Sequence, residues 1–206
     1  MIGGIVKRLT PLIVSPISNI IFEKYPWLSF YLDKITSLDW KYGNLQINIT
    51  QTQTIIQACC QDNQWLRADP IPYDSDEDHY WLHAGKEGEP IVLLIVWAPR
   101  TVGIPHNHKT WAVVGCIKGC EKHVFWNRLD DRTKQGYAKL ARGPEIVCSP
   151  NRVITMQSDD IHHVENQAGP GKITLSLHVY GTDITQTGRE QFNIEKQTVS
   201  LMTGLK

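Results

Sequence analysis

The chain has no net charge: its 206 residues include 21 Lys and Arg against 21 Asp and Glu. It therefore lacks the basic footprint that a phosphate backbone or an anionic membrane surface selects, and nucleic acid is not an expected partner. An even, spaced cysteine framework is also missing. The five cysteines, with Cys59 and Cys60 adjacent, exclude the disulfide scaffold of a small secreted protein and fit a reducing cytoplasm. Long hydrophobic runs are absent too. From Met1 to Phe22 the apolar stretches are broken by Lys7, Arg8, Pro11 and Pro16, well short of the ~20 apolar residues of a membrane span. No small-residue cleavage site follows a clean apolar core, so neither a signal peptide nor a membrane anchor is expected. No internal repeat is visible, which excludes a solenoid.

What remains is length for one domain with an appended segment, since domains cluster near ~100–150 residues. From Ile17 to Trp65 apolar residues recur at mixed spacings of three and four, including Ile20, Ile21, Tyr25, Leu28, Leu32, Ile35, Ile55, Ile56 and Cys59. That period predicts two or three amphipathic helices packed as a cap. The Pro70, Pro72 and acid-rich stretch Asp69 to Asp78 reads as a loop, dividing a helical segment over 1–78 from a β region over 79–206 within one structural domain. Beyond it, β-rich runs separated by turn residues predict strands at Pro90–Trp97, Trp111–Ile117, Lys122–Asn127, Glu145–Cys148, Arg152–Met156 and Lys172–Tyr180. Short strands without intervening helices suggest a mainly β sandwich or barrel.

Three features in this region carry chemistry. Pro105-His106-Asn107-His108 follows a turn-like segment, and if it opens a strand, positions i and i+2 place both imidazoles on one side. A bare H-x-H equally describes two surface histidines in a loop. Some fifty residues later comes Asp159-Asp160-Ile161-His162-His163-Val164-Glu165-Asn166, where adjacent histidines in polar surroundings are ordinarily solvated. The third feature is the clearest: Ile173, Leu175, Leu177 and Val179 alternate with Thr174, Ser176, His178 and Tyr180. A period of two separates an apolar face from a row of hydroxyl, imidazole and phenol groups. That row either faces water or lines a polar cavity as a hydrogen-bonding chain.

If three histidines hold a metal without a carboxylate, the ion keeps its full positive charge and favours an anionic ligand. Imidazole suits both Fe(II) and Zn(II), so a His₃ zinc site performing hydrolysis or hydration is chemically allowed.

At these residues the chain resembles the cupin thiol dioxygenases, the cysteine dioxygenase family, and among them the bacterial branch acting on 3-mercaptopropionate. The block from His106-Asn-His108-Lys-Thr-Trp111 through Gly115 and Gly119 to Glu121 resembles that branch's first motif, and Ile161-His162-His163-Val164-Glu165-Asn166 resembles the second. Ser176-Leu177-His178-Val179-Tyr180 is similar to the family's Ser-His-Tyr chain. The resemblance spans roughly Tyr80 to Arg189. It implies a double-stranded β-helix (jelly-roll) barrel with an N-terminal helical segment, Fe(II) held by His106, His108 and His162, and catalytic roles for Tyr180, His178 and Ser176. It implies substrate binding by Arg189, nine residues after the tyrosine, and by Trp111. The expected reaction joins a small carboxylate-bearing thiol (3-mercaptopropionate or cysteine) and O2 to give the sulfinate, in a cytoplasmic monomer.

Two departures stand out. The tyrosine-linked cysteine of animal-type enzymes corresponds here to about Ala112, so no thioether is expected, and their carboxylate-holding arginine corresponds to Leu82. The rival readings are a non-catalytic cupin binding metal or a small acid, and another three-histidine cupin dioxygenase such as one cleaving a β-diketone.

Overall fold

A computed structural model of the chain describes residues 17–74 and 77–203. The reading of Met1 to Pro16 lies outside the described residues, as do positions 75 and 76 of the acidic loop. Among the described residues three α-helices come first, α1 (Ile17–Lys24), α2 (Leu28–Thr36) and α3 (Leu45–Cys60). Asn44 caps α3 by accepting the backbone N–H of Ile47 through its side chain, which supplies a partner that the helix's own ladder cannot. None of the described helices is long and apolar enough to cross a membrane.

Ten strands follow: β1 (Glu77–His83), β2 (Ile91–Trp97), β3 (Ala112–Lys118), β4 (Glu121–Arg128), β5 (Leu140–Cys148), β6 (Val153–Met156), β7 (Ile161–Asn166), β8 (Thr174–Tyr180), β9 (Glu190–Asn193) and β10 (Thr198–Leu201). A five-stranded sheet in the order β1-β2-β8-β3-β6 faces a three-stranded sheet in the order β5-β4-β7, and β9 pairs with β10 as a hairpin. All the strand pairs are antiparallel. The fold is mainly β, two facing antiparallel sheets with a short N-terminal helical segment.

Strand β2 explains how the two parts fit together. Its seven residues are all buried because Val92, Leu94 and Val96 pack under the helices while Ile91, Leu93, Ile95 and Trp97 point into the barrel. A strand covered on both faces shows a continuous apolar run instead of alternation. The helices cover the outer face of the larger sheet, where Ile21, Tyr25, Leu28 and Ile35 join Val113, Leu175, Leu177 and Val179 in one cluster. Gly115 on β3 permits this: a Cβ there would lie 2.4 Å from Ile56 Cγ2 and 2.7 Å from Cys60 Sγ, so α3 crosses the sheet over a bare backbone.

The structure revises several boundaries. The β region begins at Glu77, inside the stretch expected to be loop. Strand β5 starts at Leu140, earlier than expected, because Gly143 and Pro144 lie on an edge strand where a missing donor is tolerated. His106 belongs to no strand; it makes isolated bridges to His162 and Gln191, and β3 begins only at Ala112. The hairpin of β9 and β10 carries no strong periodicity and was not expected.

Candidate metal centre

The two histidine motifs are tied together through their backbones. His106 N–H donates to the His162 carbonyl at 2.8 Å, and His162 N–H returns a bond to the His106 carbonyl at 2.9 Å. From this bridge the side chains of His106, His108 and His162 converge. Their Nε2 atoms face one another, 3.1 Å apart for His106 and His108 and 3.4 Å for His108 and His162. A metal ion ~2.0–2.1 Å from two imidazole nitrogens separates them by about 2.9 Å at a right angle and about 3.4 Å at the tetrahedral angle. The observed spacing fits one ion held from one side.

The ring nitrogens are set for that task. His106 Nδ1 lies 2.8 Å from the Ile104 carbonyl, which can only accept, so Nδ1 carries the proton and Nε2 keeps its lone pair. Burial, reinforced by the neighbouring imidazoles, holds His108 and His162 well below the usual histidine range. Both are neutral. Uncharged, they do not repel a cation, and a neutral imidazole keeps a lone pair to offer it.

The adjacent histidines part company as an extended chain requires. His163 points to the other face of β7, where it accepts from the Trp126 indole N–H at 2.9 Å and lies 3.2 Å from Glu165. It does not reach the cluster.

Beside the imidazoles runs the polar row of β8. Ser176 Oγ lies 2.8 Å from His178 Nε2, and His178 Nδ1 lies 2.9 Å from the Tyr180 hydroxyl. Burial is the main reason that His178 is also held well below the usual histidine range. Trp97, which the sequence reading did not single out, donates its indole N–H to Ser176 Oγ at 3.2 Å. The Tyr180 ring packs edge-on against His108, 4.8 Å between centroids. Ala112 is the direct partner of Tyr180 across β3 and β8, and a methyl group offers no sulfur for a crosslink.

These groups share a cavity of about 490 Å³. Its polar wall includes the three converging histidines, His178, Tyr180, Arg189 and His79, and its apolar wall includes Ile95, Val164 and Ile184. Arg189 is only 3% exposed, so it is a buried side chain of the cavity wall and not a solvated one on a tail.

Two expected residues lie elsewhere. Trp111 does not line the cavity: it faces the helices, stacks on Trp40 with centroids 5.4 Å apart, and presses against the bare backbone of Gly181. Its parity decides this, since Ala112 points inward and its neighbour must point out. A direct role for Trp111 in binding substrate is therefore withdrawn. Leu82 also belongs to the cluster under the helices, so it is not the cavity position of β1; His79, three residues earlier, is. All five cysteines are free thiols, and burial raises Cys60 to about 12, away from reactive thiolate.

No protein-family model matches the chain. Solved structures with similar backbones include a cupin superfamily protein from Desulfitobacterium hafniense, at 12% identity over 55% of this chain and 84% of that one, with a TM-score of 0.41. An uncharacterised double-stranded β-helix protein from Klebsiella pneumoniae matches at 12% identity over 66% of this chain and 86% of that one, with a TM-score of 0.41. An oxalate oxidase matches at 15% identity over 45% of this chain and 42% of that one, with a TM-score of 0.35. At these identities the likeness concerns the backbone alone.

Proposed function

We propose that the protein is an Fe(II)-dependent thiol dioxygenase that converts a small carboxylate-bearing thiol, 3-mercaptopropionate or cysteine, and O2 to the sulfinate. The observation that carries the reading is one cavity lined by three converging imidazoles, the buried Arg189, and His178 and Tyr180, which continue a hydrogen-bonded chain from Ser176. His106, His108 and His162 would hold the iron. Bound there, Fe(II) supplies coordination sites for the thiolate and O2 and the electron-transfer chemistry that zinc lacks.

The chain's own residues do the rest. Three neutral imidazoles leave the ion's charge uncancelled and so select an anionic sulfur ligand. Arg189 offers a guanidinium fork to the carboxylate at the other end of a short thiol. Ile95, Val164 and Ile184 limit water on the remaining wall. Trp97 donates its indole N–H to Ser176 Oγ, and in the proposed arrangement the serine proton goes to His178 Nε2 and His178 Nδ1–H donates to the Tyr180 hydroxyl. In that arrangement the Tyr180 hydroxyl, on the cavity wall, is a donor that can bond a developing negative charge. The balance is simple: RS⁻ plus O2 gives RSO2⁻, with no outside reductant.

The test compares iron-loaded and zinc-loaded protein. Oxygen uptake with sulfinate formation is expected only with iron. Equal activity of the zinc form would refute the assignment.

A further inference from the structure

We propose that Glu121 and His123 are positioning residues for the metal ligand His162, forming a carboxyl–imidazole–imidazole line that ends at the bound ion. The inference rests on the reading of His106, His108 and His162 as metal ligands and adds a device behind one of them. Glu121, His123 and Phe125 alternate along β4, and β4 is the hydrogen-bonded neighbour of β7, with Phe125 opposite His162. Glu121 and His123 are both 0% exposed.

A carboxyl group so deep in a barrel is costly unless it is partnered. Neither Glu121 oxygen nor His123 Nε2 has a well-aligned hydrogen-bond partner, yet Glu121 Oε1 and His123 Nε2 lie 3.3 Å apart. On its other side His123 presents Nδ1 to His162 Nδ1 at 3.2 Å. The two ring planes differ by 5° with centroids 5.3 Å apart, a separation equal to the N···N distance plus about one ring radius on each side. The rings are near-parallel and approach through their Nδ1 atoms, within reach of an N–H···N bond.

Counting protons fixes the direction. With His162 Nε2 given to the ion, its Nδ1 carries the proton and donates to His123 Nδ1. His123 then carries its own proton on Nε2, and Glu121 Oε1 is the acceptor in reach. The same count argues against a second ion. Glu121, His123 and Cys148 could hold a metal by proximity, with ligand atoms within 4.8 Å of one another. Ligation through His123 Nε2 would force its proton onto Nδ1, where it would meet the proton of His162. A metal on His162 and a metal on His123 are mutually exclusive with neutral imidazoles.

The line orients the His162 ring and raises the basicity of its Nε2. His106 is oriented by a backbone carbonyl, and His162 by a side-chain pair that mutation can remove.

Co(II) serves as the probe, through its affinity in competition with a chelator and its absorption spectrum, on folded apo-protein whose melting temperature is measured alongside. His123→Leu and Glu121→Leu are expected to weaken Co(II) binding by about 10–100-fold and to shift the spectrum. Glu121→Gln keeps an acceptor at the same place and is expected to restore most of the affinity, which a merely structural role would not produce. Parent-like affinity and spectrum in both leucine variants would overturn the proposal. So would two bound ions per chain falling to one in Cys148→Ser. A parent protein that binds no Co(II) would instead sink the metal-site reading beneath it.

Discussion

Asn107 donates its side-chain amide to Glu190 Oε2 at 2.8 Å, receives the Glu190 backbone N–H at 2.9 Å, and donates its own backbone N–H to the Glu190 carbonyl at 3.1 Å. Asn107 stands between His106 and His108, and Glu190 follows Arg189, so this clasp fixes the imidazoles and the guanidinium relative to one another. Replacing Asn107 by Ala removes both side-chain bonds and leaves the part-buried Glu190 N–H without its acceptor, at a cost of about 1–3 kcal/mol. A lower denaturation midpoint is expected, together with a higher apparent KM for 3-mercaptopropionate. A KM that rises equally for cysteamine would mean that the clasp acts on the fold alone.

The adjacent histidines separate cleanly. His162→Ala is expected to abolish iron binding, whereas His163→Ala, which breaks contacts to Trp126 and Glu165 on the other face, largely spares it. Iron per chain, measured after dialysis, decides between them.

For Tyr180, substitution by Phe keeps the ring against His108 and removes only the hydroxyl that meets His178. Iron content is expected to stay normal while turnover falls by ~10²–10³, the usual cost of one positioned donor to a developing charge. Steady-state kcat on iron-matched samples is the check, and an unchanged value would remove the polar row from the mechanism.

Arg189→Ala is expected to cost roughly 1.5–3 kcal/mol of substrate binding, about a ten- to hundredfold rise in apparent KM for thiols carrying a carboxylate. Cysteamine, which has none, should respond little. Comparing 3-mercaptopropionate, cysteine and cysteamine separates the outcomes: an equal loss on all three makes Arg189 a structural residue, and no loss on any removes it from the site.

Strand β8 was legible because one buried face of aliphatic residues and one of polar residues obey a period of two, and the structure shows Ser176, His178 and Tyr180 joined along a single face. The convergence of the histidines could be suspected from spacing, but not its cause. Strand alternation was expected to align His106 with His108, whereas a backbone bridge between His106 and His162 is what joins the two motifs. Trp111 and Leu82 were misplaced because a motif position says nothing of inside or outside until parity is anchored; Ala112 opposite Tyr180 supplies that anchor for β3. Glu121 and His123 gave a signal that passed unnoticed, two polar residues on alternate positions leading to Phe125 on what proves to be an inward face. Arg189 follows a segment without periodicity, so its burial had no local signature.

The central claim is that both atoms of O2 end on the sulfur of a thiol held in this cavity. The most direct measurement is to oxidise 3-mercaptopropionate with the iron-loaded protein under ¹⁸O₂ in ordinary water and weigh the product. The account predicts a sulfinate in which both oxygens carry the label. A sulfinate with one labelled oxygen, or disulfide without sulfinate, would contradict it.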